Sequence, residues 1–262
     1  MDKRIVIGAV VVVGVALAIV FSGALGGGGI ATPTPIAEAS PSPSAVTSAS
    51  PSALSGTIEA VVSFKGTAPA PRKIRKTPEC GSDPLFDEEV AVSNGKLANV
   101  MVRVVGIPAV EGRGQGAEIV QEECVYAPRV SGIVAGQSIA VTSKDNFLHN
   151  VHTFRGDASI FNKGQPAPGT FVKEAADFTA VNGQTINDGP ITFKCDVHPW
   201  MISHVVVNPN PYFAVSGADG AAKISLPAGT YQLEAWHEKL GTKTASVTVV
   251  AGQPAAVAID FP

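Results

Sequence analysis

The chain has 262 residues, a formal net charge of −3 at pH 7 and an aromatic content of 6%. This charge does not suggest a nucleic-acid ligand, and no cluster of basic residues contains interleaved aromatic side chains. The length allows one or two folded domains in addition to any leader segment.

The N-terminus carries a short basic head followed by an apolar run over residues 5–25. About 20 apolar residues span a bilayer, so residues 1–25 predict one transmembrane helix. Lys3 and Arg4 precede this run, which places the N-terminus in the cytoplasm and the remaining chain outside it. A cleaved signal peptide is the alternative, because residues 22–24 are small. We expect an extracytoplasmic chain on the periplasmic side, anchored to the cytoplasmic membrane, or secreted or periplasmic if the segment is cleaved.

Residues 26–55 are rich in Gly, Pro, Ser and Thr, as in the run Ser40-Pro41-Ser42-Pro43-Ser44. Such a composition cannot bury a core and predicts a linker. Pro-rich segments extend by about 3.1 Å per residue, so the linker can carry the folded part away from the membrane. Whether it lets a carrier move between partners or is a simple spacer stays open.

The remaining residues, 56–262, are predicted to be all-β. Runs rich in β-branched residues occur at short intervals and are separated by Gly and Pro; examples are 58–64, 98–105, 138–142 and 191–195. No long helical period follows residue 25. This pattern is typical of β-sandwiches.

The segment Cys195-Asp196-Val197-His198-Pro199-Trp200-Met201 places a thiolate, an imidazole and a thioether at intervals of three residues. Another imidazole, His149, lies 46 residues before Cys195 in the string 147–152. Two His and one Cys with a weak axial Met are the ligands of a mononuclear blue-copper electron-transfer site. His149, Cys195, His198 and Met201 are therefore the candidate ligands of such a site.

Residues 118–208 resemble a cupredoxin, and the C-x₂-H-x₂-M loop with Pro and an aromatic residue before Met resembles that of amicyanin. The resemblance implies a Greek-key β-sandwich and one type 1 copper ion per chain. It also implies that Asn150 lies beside the ligands, where its backbone helps to hold the sulfur of Cys195.

Three cysteines leave one over if two of them pair. We predict a disulfide between Cys80 and Cys124, which leaves Cys195 free for the metal. The alternative is that all three are reduced. A disulfide here requires an oxidising compartment, which agrees with the predicted location outside the cytoplasm.

Simpler roles for the ligand residues stay open. Cys195 can be a buried structural thiol, His149 a polar residue at a strand end, and Met201 a core residue. His152 lies three residues after His149 and points to the opposite face of a regular strand. We assign His152 and His204 structural or surface roles.

Residues 209–262 contain a turn signal at 216–220 and an alternating strand at 226–236. They resemble the carboxypeptidase regulatory-like, transthyretin-type module, which implies a second, small, non-catalytic β-sandwich. We therefore expect a copper domain over 56–208. Its part 56–117 exceeds the minimal cupredoxin fold and supplies either first strands of that fold or part of a neighbouring domain.

The predicted function is a membrane-anchored carrier of single electrons, not an enzyme, with unidentified redox proteins as donor and acceptor. We expect electrons to leave at the edge of His198, framed by Pro199 and Trp200. The alternatives are a copper-delivery protein and a metal-free interaction module. A multicopper oxidase and a binuclear centre do not fit, because one thiolate loop is present and His-x-His clusters are lacking. Zinc accepts the same ligands and can bind adventitiously.

Overall fold

The computed structural model describes residues 55–174, 177–178 and 182–262. They form an all-β structure with a short 3-10 turn at Pro78–Cys80, which confirms the predicted fold class at that level. No helix among the described residues is long and apolar enough to cross a membrane. The predicted transmembrane helix at 1–25 and all of the linker except Ser55 lie outside the described residues.

The strands of the described residues are, in chain order, β1 (Ser55–Phe64), β2 (Lys73–Ile74), β3 (Leu85–Phe86), β4 (Val92–Ser93), β5 (Lys96–Leu97), β6 (Met101–Val105), β7 (Gln115–Glu122), β8 (Val125–Ala127), β9 (Val130–Val134), β10 (Ser138–Ser143), β11 (His149–Arg155), β12 (Ala158–Gln165), β13 (Gly169–Lys173), β14 (Gly189–Lys194), β15 (Ile202–Asn208), β16 (Phe213–Val215), β17 (Ala221–Pro227), β18 (Gly229–His237), β19 (Gly241–Val249) and β20 (Pro254–Phe261).

Strands β7 to β15 build the first sandwich. One sheet has the order β13-β10-β7-β8 and the other the order β12-β11-β14-β15-β9. In β14, Ile191 and Phe193 are buried and alternate with Thr192 and Lys194, as expected of a strand with one face on a core. These side chains meet Ile119 and other apolar residues of the facing sheet in one core cluster.

Strands β1, β4 to β6 and β16 to β20 build the second sandwich. Its sheets have the orders β4-β5-β1-β17, with β20 also paired to β1, and β16-β6-β18-β19. Strand β17 alternates buried Ala222, Ile224 and Leu226 with exposed neighbours, so one of its faces is apolar. That face packs with Leu233 and Phe261 in a separate core cluster.

The segment 56–117 was expected to extend the copper domain or to join a neighbouring one. In the structure β1 pairs antiparallel with β17 and parallel with β20, and β6 pairs with β16 and β18. Its long strands up to residue 105 therefore share sheets with the C-terminal segment 209–262 rather than with the first sandwich. The pairing therefore favours the expectation that 56–117 contributes to a neighbouring domain. It also makes the second sandwich larger than residues 209–262 alone.

The two sandwiches meet at an apolar joint. Met101, Val130 and Val206 are buried together and pack against Phe213. A Cβ atom on Gly132 would lie 2.6 Å from Cε2 of Phe213, so glycine is required for this close approach. At the joint the backbone of β9 thus packs directly against the Phe213 ring of the second sandwich.

A buried ion pair lies beside the apolar joint. The guanidinium of Arg129 donates two hydrogen bonds of 2.7 Å to the carboxylate of Glu238, and Nε2 of His204 lies 3.1 Å from the same group. Burial alone would raise the pKa of Glu238. Hydrogen bonds from His204 and Arg129 outweigh it and lower that pKa to about 2.

A short hairpin emerges from the second sandwich between β1 and β4. Strand β2 pairs with β3 through Lys73 with Phe86 and Ile74 with Leu85. We call residues 73–86 the cover hairpin, because its tip reaches the first sandwich and is joined to it by a disulfide between Cys80 and Cys124.

Candidate metal centre

Two neighbouring strands of the first sandwich position the predicted ligands. Strand β11 begins at His149 and pairs with β14 through His152 and Lys194. Cys195 follows the last residue of β14, and Met201 precedes the first residue of β15. Because β11 and β14 are antiparallel partners, the start of one lies beside the end of the other, which brings His149 to the 195–201 loop.

The loop is closed by its own backbone. The N–H of Cys195 donates to the carbonyl of Met201 at 3.2 Å, and the N–H of Met201 donates to the carbonyl of His198 at 2.9 Å. The loop is therefore a compact turn whose three predicted ligands are fixed relative to one another.

Three donor atoms form a buried triangle. The Nδ1 atoms of His149 and His198 are 3.0 Å apart, and Sγ of Cys195 lies 3.9 Å from the first and 3.8 Å from the second. All three side chains are at most 1% exposed. They form one of the potential ligand groups in the described part of the chain.

The dimensions of this triangle suit a metal ion. A point equidistant from the three donor atoms lies about 2.1 Å from each, near the metal–nitrogen distance of about 2.0–2.1 Å and slightly below the metal–sulfur distance of about 2.3 Å. Without an ion, two imidazole nitrogens and one free thiol would converge in the core with few other partners. The donor set thus fits a small transition-metal ion bound by nitrogen and sulfur.

Met201, the predicted axial ligand, is 1% exposed and belongs to the same core cluster as Cys195. Its side chain is therefore buried inside the first sandwich, as the simpler role of a core residue requires. Its assignment as the weak axial ligand stays a prediction.

Asn150 joins the two ligand segments, although through its side chain rather than its backbone. Its Oδ1 accepts a 2.7 Å hydrogen bond from the N–H of Asp196 and lies 3.4 Å from Sγ of Cys195. Its Nδ2 donates to Asn162 at 2.8 Å and to the Asp196 carboxylate at 2.7 Å. Tyr126 donates a 2.6 Å hydrogen bond to the Asn150 carbonyl. Asn150, which follows the candidate ligand His149, therefore holds Asp196, which follows the candidate ligand Cys195.

Asp145, which the sequence analysis did not identify as part of the site, orients His149. Its Oδ2 lies 2.8 Å from Nε2 of His149, and its two carboxylate oxygens also accept hydrogen bonds from the N–H groups of Glu123 and Cys124. An Nε2–H that donates to this carboxylate leaves Nδ1 with a free lone pair facing the triangle. Burial lowers the pKa of His149, and Asp145 only partly opposes it, so the neutral ring is favoured.

His198 lies under the cover hairpin and is not exposed at all. Its Nε2 is buried without a hydrogen-bond partner among the described residues, and Oε1 of Glu79 lies 3.6 Å away. The rings of Trp200 and Phe147 lie 5.4 and 6.0 Å from the His198 ring. The hairpin therefore covers the His198 ring, at whose edge electrons were expected to leave.

The predicted disulfide between Cys80 and Cys124 is confirmed, with Cα atoms 5.5 Å apart, and Cys195 is the free, buried cysteine. Both bridged sulfurs lie within 4.8 Å of a ring nitrogen of His198. Because they are bonded to each other, they are not available as metal ligands in this state. The bridge instead fixes the hairpin over the candidate metal centre.

The other histidines lie outside the triangle. Nδ1 of His152 lies 3.1 Å from the Asp196 carboxylate and its Nε2 lies 2.9 Å from Ser159. His204 contacts Glu238, and Nδ1 of His237 accepts hydrogen bonds from two backbone N–H groups in the following turn. These contacts agree with the structural or surface roles assigned to His152 and His204.

Comparison with known proteins finds partial structural likenesses. No protein-family model and no curated protein sequence match this chain. Among solved structures, a purple cupredoxin from Nitrosopumilus maritimus is 20% identical, with 35% of this chain and 98% of that chain covered and a TM-score of 0.28. An oxidised amicyanin variant with one proline replaced by glycine is 15% identical, with 40% and 97% covered and a TM-score of 0.29. A copper-containing nitrite reductase from Thermus scotoductus SA-01 is 14% identical, with 40% and 25% covered and a TM-score of 0.29.

Proposed function

We propose that this chain is a type 1 copper protein that carries single electrons between redox partners outside the cytoplasm. The observation that supports it most is the buried triangle of two imidazole nitrogens and one free thiol, with Met201 in the same loop. Softer sulfur ligands favour Cu(I), and imidazole suits copper in both oxidation states. A bound copper ion would supply a one-electron couple at this position.

The surroundings of the triangle support a carrier rather than a catalyst. His149, Cys195, His198 and Met201 are each at most 1% exposed, so these ligands offer no open face to a substrate. An electron crosses a packed protein layer without contact between the ion and its partner, whereas a substrate requires a vacant coordination position. We therefore propose a non-enzymatic role.

The bracing of the ligands supports the same proposal. Asn150 ties His149's strand to Asp196, Asp145 holds the His149 ring, and the loop backbone closes on itself. A site that holds one geometry for two oxidation states needs little rearrangement during electron transfer. Copper delivery, the alternative, requires ligands that release the ion readily, and the deep burial of these four disfavours it.

The location outside the cytoplasm is part of the proposal. A buried disulfide between Cys80 and Cys124 persists in an oxidising compartment. The apolar run at residues 5–25 would deliver the chain across the cytoplasmic membrane and anchor it there. We propose unidentified redox proteins as donor and acceptor, and no nucleic acid.

The test is the visible and electron paramagnetic resonance spectrum of the full-length chain loaded with one equivalent of Cu(II). We expect an intense blue thiolate-to-copper band with a narrow copper hyperfine splitting. Cys195→Ser should abolish the band, and His149→Ala should weaken or lose it. His152→Ala is the matched control, because it removes an imidazole outside the triangle and should leave the band in place.

A Cys195→Ser protein with an unchanged spectrum would contradict the ligand assignment. A weakly coloured Cu(II) spectrum in the unaltered chain, together with rapid Cu(I) transfer to a chelator, would support the delivery function instead. Absence of stoichiometric copper binding would support a metal-free interaction module.

A further inference from the structure

The cover hairpin changes where a redox partner can approach the metal centre. In the structure the His198 ring is fully buried beneath residues 78–80, and Trp200 lies on its flank. A partner that contacts this end of the molecule therefore meets the hairpin and Trp200 before it meets a ligand. The surface that these residues present decides which partner fits.

A cleft of about 440 Å³ lies between the hairpin and the metal loop, as we call residues 195–201. The basic cleft, as we call it, is lined by four cationic residues together with two residues of the metal loop: Arg72, Lys73, Arg75, Arg129, Pro199 and Trp200. The ring of Trp200 is 5.4 Å from the ring of His198, centroid to centroid. A partner seated in the cleft would be separated from the ligand His198 by this one side chain.

The charge of the cleft is not neutralised from within the described residues. Its two acidic lining residues are already engaged, Asp87 with Arg72 and Glu89 with Lys239. Lys73 and Arg75 are exposed and form no ion pair among the described residues. Two cationic side chains therefore face solvent beside the metal loop.

This local positive charge is opposite in sign to the formal net charge of the whole chain, which is −3. An acidic partner would be repelled weakly at long range and attracted at the cleft, so the contrast in charge would orient it. Complementary charge of this kind acts mainly on the rate and orientation of encounter.

We infer that the basic cleft is the docking surface for an acidic redox protein, which exchanges electrons with the metal centre by way of Trp200 and His198. This inference rests on the proposed copper function. A second cleft beside the hairpin, of about 330 Å³, is lined by Glu79, Asp83, Glu123 and Asp145 with Lys76, and it would favour a cationic partner instead. The test must therefore distinguish the two clefts.

The experiment measures stopped-flow reduction of the copper-loaded full-length chain by hexacyanoferrate(II), an anionic one-electron donor. Each event oxidises one iron(II) to iron(III) and reduces one Cu(II) to Cu(I). The variant is Lys73→Glu/Arg75→Glu. The matched control, Arg113→Glu/Lys243→Glu, makes the same change in net charge at residues that do not line the cleft.

At low ionic strength we expect the bimolecular rate constant to fall about ten-fold in the cleft variant and less than two-fold in the control, since steering changes association rates by roughly 10–10³-fold. The difference should disappear at high salt, because screening removes it. Lys73→Gln/Arg75→Gln should give an intermediate rate. The cationic donor tris(phenanthroline)cobalt(II) should react faster, not slower, with the cleft variant.

Equal effects of the cleft and control variants would overturn the inference, because net charge alone would then explain the rates. On the unaltered chain, the cationic donor could instead react faster than hexacyanoferrate(II). If its rate also falls in the variant Glu79→Gln/Asp83→Asn, docking would be assigned to the second cleft, the one lined by acidic residues. The blue absorption reports separately on the copper site. Its absence in the unaltered chain refutes the proposed function, whereas its presence without cleft dependence refutes the docking surface alone.

Discussion

Removing the disulfide between Cys80 and Cys124 should lower the free energy of unfolding by an amount that follows from the number of residues between the two cysteines. The two cysteines are 44 residues apart in sequence. Closing a loop of that length removes about 13 cal/mol/K of entropy from the unfolded chain, which is about 4 kcal/mol at 25 °C. For a chain of this size, 1 kcal/mol corresponds to about 2–4 °C in Tm, so the expected loss is about 8–16 °C.

The assay is urea unfolding of the metal-free full-length chain, followed by circular dichroism. Both proteins should carry Cys195→Ala, so that no free thiol can exchange with the bridge. The bridged protein is compared with Cys80→Ala/Cys124→Ala and with its own reduced form, which keeps both buried sulfurs. The reduced form isolates the entropy of the cross-link from the loss of sulfur packing, and its urea midpoint should fall by more than about 1 M.

A stability change below about 1 kcal/mol in the reduced form would refute this reasoning. It would mean that the unfolded chain already holds the two segments together or that the bridge strains the native state. A change in the slope of the urea transition would show that removing the bridge also changes the compactness of the unfolded chain or ends two-state unfolding.

Three further outcomes follow from contacts at the site and the joint. Asn150→Ala should cost about 2–3 kcal/mol, because it leaves the N–H of Asp196 without its acceptor, and thermal unfolding of the metal-free chain measures this loss. Met201→Leu should retain copper and raise the reduction potential in voltammetry, and loss of all copper would contradict the weak axial role. Glu238→Gln should cost roughly 3 kcal/mol at neutral pH, because it leaves Arg129 buried beside a neutral group. Since the folded pKa of Glu238 is about 2, below its ordinary 4.5, its stabilisation is present above pH 4.5 and is lost as pH falls towards 2. The variant should therefore show a shallower loss of stability across that range in acid titrations, and an unchanged slope would contradict the assignment.

The candidate site could be predicted largely because its ligands lie close together in sequence. Cys195, His198 and Met201 share one loop, and His149 begins the neighbouring strand. The environment of the ligands could not be predicted in the same way. Asp145 acts through a carboxylate in a loop without a distinctive pattern, and Glu79 arrives from a segment more than 100 residues before His198.

For the fold as for the site, local sequence patterns predicted the positions of strands but not the pairing of strands that are distant in sequence. A run rich in β-branched residues at 191–195 predicted β14. Alternating apolar residues at 226–236 predicted most of β18, because burial on one face of a strand leaves a period of two. The pattern does not identify the partner of a strand. The parallel pairing of β1 with β20 joins residues 57–64 to residues 254–261 and is invisible to any short-range signal. Strands β2 and β3, of two residues each, are too short for periodicity, so the hairpin over His198 was missed.

The chain leaves the second sandwich after β6 and returns to it at β16, and these two strands pair directly through Val102 and Ala214. The first sandwich is thus an insertion whose entry and exit lie side by side, and it is also cross-linked through the cover hairpin. The entry segment, the exit segment and the disulfide are three covalent connections, and together they prevent the rotation of one sandwich relative to the other that a single linker would allow. The two sandwiches should therefore tumble with one rotational correlation time, and any partner that aligns with the second sandwich would set the orientation of the candidate metal centre as well.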